Sequence, residues 1–263
     1  MVVADLHVHT TVSDGQLAPD AVPEAARRAG LEAVAITDHD RIQPDLDGPI
    51  VEHDGVTLIH GIELRVDIGD QRVDLLGYGV EPTPELRSLC DRLQRDRVER
   101  AREIADRVGA RLDVDLELDL HPGVGRPHIA RAIERSDADL DYQGAFDELI
   151  GDDGPCYVAR EIPDFETGRE RLAGAAAFVG LAHPFRYDDP GAALELTAEL
   201  DAVEAVYPYA RDPDPEPLEQ AIDEHDLLLT GGSDSHGEQI GTAGLDAEAY
   251  EMIRRHLLRL TGG

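Results

Sequence analysis

The chain has 263 residues, enough for one large domain or one domain with a subdomain, and 41% of them are hydrophobic, enough for a packed core. Its formal net charge is −32, with no lysine or asparagine, and arginine supplies all 24 basic residues. Acidity spread along a whole chain argues against broad nucleic-acid binding, duplex DNA included, and suits a surface kept soluble at high salt, as in a halophile's proteome.

No apolar run approaches the ~20 residues that span a bilayer, so no membrane partner is expected. The start, MVVADLHVHT, has no basic leader before an apolar stretch. Cys90 and Cys156 sit in no CxxC pair, so neither a disulfide framework nor a thiolate metal site is expected, and a reducing cytoplasm is the expected location.

In chain order, Val2 to Leu6 reads as a buried strand, Pro19 to Gly30 as a helix stopped by its glycine, and Leu31 to Thr37 as a second strand. Val56 to Glu63 and Arg72 to Gly79 read as further strands. Pro84 to Val108 is one long charged helix, followed by shorter ones at Arg126–Arg135 and Tyr142–Ile150. The strand–helix rhythm resumes with strand Ala177–Ala182, helix Ala192–Leu200, strand Ala202–Tyr207, helix Pro217–His225, strand Asp226–Thr230 and a terminal helix, Ala247–Leu260. Such alternation predicts an α/β fold with a parallel sheet. It is interrupted by a helical insertion at 83–160, which leaves a barrel in two parts, 1–82 and 161–263.

The polar residues that break the apolar pattern fall at the predicted strand ends. His7 and His9 follow the first strand, Asp38 and His39 the second, Glu63 the third, His183 the AFVGLA strand, and Asp234 and His236 the LLLTGG segment. In parallel α/β barrels the C-terminal strand ends carry the chemistry, so these residues should converge. His7-Val8-His9 on an extended segment turns both imidazoles to one side. Neutral imidazole binds zinc, iron and manganese-type ions, and a carboxylate such as Glu63 can bridge two cations.

DLHVHTTVSDG, AITDHD, GIEL, LAHP and GGSDSH follow one another in an order that resembles the successive motifs of the polymerase and histidinol phosphatase (PHP) superfamily, over nearly the whole chain. The resemblance implies a distorted (β/α)7 barrel, TIM-like, around a phosphoesterase centre of two or three divalent ions, manganese, zinc or iron. SDGQLAP, GRPHIA at 125–130 and AHPFRY at 182–187 resemble the stand-alone branch that includes small-RNA 5′-to-3′ exonucleases and nucleotide 3′-phosphatases.

Position by position, the resemblance implies one metal site at His7, His9, Glu63 and Asp234 and another at Asp14, His39 and His236. Glu63 would bridge to a remaining site completed by His183 or His128. His128, directly after Pro127, could equally cap the helix that follows. Asp14, Glu63, His183 and Asp234 stand nearest the expected chemistry. One position departs from the pattern. Where the family commonly reads His-x-L-G-Y, this chain has Asp74-Leu75-Leu76-Gly77-Tyr78. Asp74 as a ligand would favour harder cations such as manganese or magnesium. His53, His60, His121, His225 and His256 read as structural or neutral.

The expected reaction is hydrolysis of a phosphoester by a metal-activated water. The expected substrate is a small phosphorylated metabolite, a nucleoside bisphosphate or a short 5′-phosphorylated RNA end. Arg126 and Arg186 either grip its phosphate, which guanidinium matches bidentately, or pair with the abundant carboxylates. Three rivals stand beside this reading: an amidohydrolase, whose carboxylated-lysine versions are excluded by the lack of lysine; a histidinol-phosphate phosphatase; and a non-catalytic ligand-binding module.

Overall fold

Runs of small and branched apolar residues without alternation form strands covered on both faces, and β1 (Ala4–Val8) and β2 (Ala33–Ile36) are buried at every residue in the computed structural model. It describes residues 1–261, with side chains through Leu258. The two strands pair in parallel. Between them α1 (Val22–Ala29) ends at Gly30, whose φ of 75° is the left-handed stop that glycine adopts without strain.

The next three strands depart from simple alternation. β3 (Ile50–His53), which the sequence did not announce, is a short edge strand antiparallel to β4 (Val56–Asp67). β4 has two partners in succession. Residues 57–60 pair in parallel with β2, and residues 61–67 pair antiparallel with β5 (Arg72–Tyr78). Glu63 therefore lies within a twelve-residue strand rather than at its end. The reason is the short link to Arg72: a tight turn joins only antiparallel neighbours, whereas a parallel pair needs a long crossover.

α2 (Pro84–Leu112), α3 (Arg126–Arg135) and the short α4 (Tyr142–Ala145) with the π-type turn Phe146–Ile150 follow. α5 (Phe165–Ala173), absent from the sequence reading, starts at Asp164, whose carboxylate accepts from Thr167 N at 2.8 Å. β6 (Phe178–Leu181), α6 (Pro190–Glu195), β7 (Ala202–Val206), α7 (Glu216–His225), β8 (Leu228–Gly231) and α8 (Ala247–Thr261) complete the described chain. The predicted helix 192–200 is α6 followed by a 3-10 turn at 196–199.

Sheet order is β1-β2-β4-β5-β6-β7-β8, with β3 off the path. Seven strands thus run round the path. β5 is antiparallel to both neighbours, while β6, β7 and β8 are parallel. Val8 bridges Ser235, just past β8, so the sheet is nearly closed into a distorted barrel.

The chain divides into two units, 1–89 with 162–263, and 90–161. In the first, Leu6, Ile59, Leu76, Tyr78 and Phe178 pack with Tyr250, Ile253 and Leu257 of α8, while Val22 and Ala26 of α1 cover Val8, Val34 and Ile36. The second has its own core, built on Ile104, Val108, Ile129, Ile133, Leu149 and Ile150.

Candidate metal centre

Alternation on β1 puts His7 on the inner side of the sheet, and His9 leaves on the same side one residue past the strand. Their Nε2 atoms lie 3.1 Å apart, and both side chains are fully buried. Two carboxylates outside the centre hold the loops that frame them. Asp5 accepts from Ser233 N at 2.9 Å, Ser233 Oγ at 2.6 Å and Gly241 N at 2.7 Å, which draws the 233–241 loop against β1. Asp38 accepts from Thr10 N at 2.8 Å, Thr10 Oγ1 at 2.7 Å and Ser13 Oγ at 2.6 Å, which fixes the loop from His9 to Asp14. Gly232 lets the chain pass close: a Cβ there would lie 2.4 Å from His7 N.

Glu63 stands in the middle. One carboxylate oxygen is 3.4 Å from His7 Nε2 and 3.0 Å from His183 Nε2; the other is 3.4 Å from His9 Nε2 and 2.7 Å from His39 Nδ1. Asp234 Oδ1 lies 3.1 Å from His9 Nε2 and 3.5 Å from His7 Nε2. Asp14 faces His236 Nε2 at 3.4 Å and His39 Nε2 at 3.9 Å. His183 and Asp234 hold left-handed backbone conformations, φ 26° and 50°. Such angles are costly for residues with a Cβ and recur where side-chain direction matters more than local comfort.

Four groups of ligand atoms gather within 4.8 Å of one another: His9, Asp14, His39 and His236; His7, His9 and Glu63; His7, His183 and Asp234; and Glu63, Asp74 and His183. Glu63, His7, His9 and His183 each belong to two groups, as bridging or adjacent cations require.

The charge balance fits divalent cations. Asp14, Glu63, Asp74, Glu204 and Asp234 are all buried or nearly so around the histidines. Two of them meet a guanidinium: Arg65 grips Asp74 through Nε at 2.8 Å and Nη2 at 2.6 Å, and Arg186 donates to Asp234 at 2.7 Å. Asp14 Oδ1 and Glu63 Oε2 are buried and face imidazole nitrogens of His236 and His39. Burial opposes ionisation of Glu63, yet His39 and His7 hold its carboxyl well below the usual range; Asp14 is held down in the same way by His39 and His236. Burial, then His236 and His39, push the His9 imidazole down, toward the neutral form that ligates.

Every metal-site residue named from the sequence except His128 lies in this cluster. His128 belongs to the second unit, where its Nδ1 accepts from Gly125 N at 3.1 Å and closes the start of α3. It is in none of the four groups. The capping role, one of the two readings left open by the sequence, is the one its ring geometry describes. Arg126, also in the second unit, bonds Asp152 at 2.8 Å.

The sequence reading missed Glu204, Tyr207 and Arg65. Glu204 accepts from His183 N at 2.8 Å and lies 3.0 Å from His7 Nδ1, so it orients two ligand candidates at once. A carboxylate inside the apolar strand AVEAV was the available signal. Tyr207 donates to Asp234 Oδ2 at 2.9 Å.

The PHP domain family matches residues 5–92. A 3′,5′-nucleoside bisphosphate phosphatase of Chromobacterium violaceum is 28% identical over 277 aligned positions, covering 95% of this chain and 92% of that protein. A 5′-3′ exoribonuclease of Haemophilus influenzae is 29% identical, covering 71% of this chain and 70% of its own length. Among solved structures, a chain from Bifidobacterium adolescentis described as a metal-dependent phosphoesterase superposes with a TM-score of 0.76 at 25% identity, covering 97% and 96% of the two chains. With a PHP domain matched at residues 5–92, at the head of the barrel, and likeness to such enzymes along nearly its whole length, the chain is a hydrolase of the metal-dependent phosphoesterase kind.

Proposed function

We propose that the protein hydrolyses the phosphoester of a small phosphorylated molecule, with a nucleoside 3′,5′-bisphosphate or a short 5′-phosphorylated RNA end as the substrate class. The observation that carries this reading is the set of four adjoining ligand groups, linked through His7, His9, His183 and the carboxylate Glu63, each of which belongs to two of them. Two relatives that cover most of the chain act by name on a nucleoside bisphosphate and on RNA, which favours this class over histidinol phosphate.

In this reading His7, His9, Asp14, His39, Glu63, His183, Asp234 and His236 hold two or three divalent ions, manganese, zinc or iron. Asp74 is the weakest candidate ligand, because Arg65 already occupies both of its oxygens. The ions, when bound, supply an acidified water and neutralise charge on the phosphoryl oxygens. The chain's own groups do the rest. Asp5 and Asp38 hold the ligand loops, and Glu204 sets the His7 ring and holds the backbone of His183. Arg186, half exposed beside Asp234, is placed to meet an incoming phosphate. Burial, then Asp234, pushes the Tyr207 phenol up, so it stays a hydrogen-bond donor at neutral pH.

The test is phosphate release with added manganese at high salt from three substrates: a nucleoside 3′,5′-bisphosphate, a short 5′-phosphorylated RNA and histidinol phosphate. Turnover of either nucleotide above histidinol phosphate is expected; preference for histidinol phosphate would overturn the substrate class.

A further inference from the structure

Where β4 changes partner at Gly61, its second half gains a charged cross-strand pair. Arg65 stands directly opposite Asp74 of β5, and residues directly opposite in an antiparallel pair share a face. Arg65 also shares its face with Glu63, two residues before it. The contact is a complete fork: Arg65 Nε donates to Asp74 Oδ1 at 2.8 Å and Nη2 to Oδ2 at 2.6 Å. Asp74 is buried, and its backbone N donates to Tyr187 Oη at 2.8 Å, so the residue is tied down as well as paired.

The other carboxylates of the ligand groups keep an oxygen for the imidazoles. Arg186 takes Oδ2 of Asp234 and leaves Oδ1 facing His9 Nε2 at 3.1 Å and His7 Nε2 at 3.5 Å. Both oxygens of Glu63 face imidazole nitrogens, and so do both oxygens of Asp14. Asp74 differs. A guanidinium holds both of its oxygens, and His183 Nε2 lies 3.9 Å from Asp74 against 3.0 Å from Glu63. Glu63, Asp74 and His183 nonetheless form one of the four groups compact enough to hold an ion. An ion there would share Asp74 with a cation already packed against it. At short range and away from water, repulsion between such like charges is strong. This group therefore does not fit a metal ion while Arg65 is in place.

The other three groups overlap. His7 and His9 each belong to two of them. A neutral imidazole has one lone pair to give, so these three groups serve two ions. We propose that the Arg65 guanidinium takes the place of a third cation in the Glu63–Asp74–His183 group, so that the centre holds two exchangeable ions and one permanent positive charge. Guanidinium suits the role, because it keeps its charge at every pH at which proteins are folded and its planar fork matches a carboxylate. The inference rests on the metal-centre reading above and deepens it, by naming the ligand group that takes no ion and the residue that replaces one.

The experiment counts ions in the full chain. Protein stripped by a chelator and exchanged into chelator-free buffer is titrated calorimetrically with zinc at high salt, which suppresses loose binding to the acidic surface. Elemental analysis after desalting counts the retained ions independently. The parent is expected to bind two. The double variant Arg65→Met with Asp74→His removes the guanidinium and sets an imidazole beside Glu63 and His183; it is expected to bind three. Arg65→Gln, which removes the charge and leaves Asp74, is expected to gain a third ion as well, whereas Arg254→Gln on α8 should stay at two. If the double variant fails to fold by circular dichroism, Arg65→Gln carries the test. Three ions in the parent, or two in every folded Arg65 variant, would overturn the inference and leave the metal centre standing. Fewer than two ions in the parent would overturn the reading of the centre, and this inference with it.

Discussion

The two units bury charge of opposite sign. Around Glu63 the first unit collects five carboxylates against the guanidinium groups of Arg65 and Arg186. Around Tyr157 the second gathers the guanidinium groups of Arg100 and Arg126. Neither arrangement is stabilising by itself, since desolvating like charges costs more than their scattered partners return. In the reading proposed above, divalent cations offset that cost in the first. Net charge, −32 here, therefore says little about what a given place in the molecule attracts.

The largest effect should come from breaking the negative cluster. His9→Ala and Asp234→Ala each remove an atom that belongs to the shared groups. Each should lower phosphate release at least a thousandfold, about 4 kcal/mol in the barrier, while circular dichroism at high salt shows an intact fold. Near-normal turnover in either variant would mean that the chemistry lies elsewhere.

Metal removal comes next. At a thousandfold excess over its dissociation constant, a bound ion adds about 4 kcal/mol to the folded state, or roughly 8–16 °C in melting temperature for a chain of this size. Chelation should lower the melting point by that order, and elemental analysis before chelation should find at least two ions per chain. Fewer than one ion would remove the premise. Asp74→His should change the relative activation by manganese and zinc, because it exchanges a carboxylate clamped by Arg65 for an imidazole. An unchanged metal profile would show that position 74 is no ligand.

Most strands and the order of motifs were legible in the sequence because buried parallel strands are uniform apolar runs. The ligand-type residues stood out as polar interruptions at or near their ends. Legibility failed where partners are distant. Glu63 looked like a strand end because nothing local says that β4 changes partner at Gly61 and continues to Asp67. β3 has only half-buried or exposed residues, so its pattern is weak. Glu204 and Tyr207 matter only through contacts with His7 and Asp234, formed 197 and 27 residues away. The meeting of Arg100 and Arg126 at Tyr157 was invisible because the three sit on separate segments brought together only by tertiary packing.

A third way to bury an ionisable group is to neutralise it, and His60 does this. It is 2% exposed, and its Nε2 accepts from Gln43 N at 3.2 Å. Burial first, and then Arg87, lower it from 6.5 to about 4. Between those values the unfolded chain binds the proton that the folded chain refuses. His60 therefore contributes fully above about pH 6.5, and its contribution is lost as pH falls toward 4. The loss should approach about 3 kcal/mol, read as the difference between urea unfolding of the parent and of His60→Gln at pH 7 and pH 4.5. The subtraction cancels titration of the metal centre, which both proteins share. Parallel pH profiles would show that His60 titrates normally.

The smallest effect tests where the two kinds of charge meet in one site. Arg186 is half exposed, and its Nη1 touches both Asp234 Oδ2 at 2.7 Å and Tyr207 Oη at 3.0 Å. It can serve the substrate directly or only hold Asp234 in place. Losing one charge-assisted contact to phosphate costs about 1.5–3 kcal/mol, so Arg186→Ala should raise KM for a phosphomonoester roughly ten- to a hundredfold. If the arginine grips substrate equally in the ground and transition states, kcat stays nearly constant. If it acts only through Asp234, the loss falls on kcat and on metal affinity, and KM hardly moves. Tyr207→Phe separates these outcomes further, because it removes the second donor to Asp234 without removing a positive charge. A small kcat effect in Tyr207→Phe beside a large KM effect in Arg186→Ala is the expected pair, and the reverse pattern would assign Arg186 to the support of Asp234.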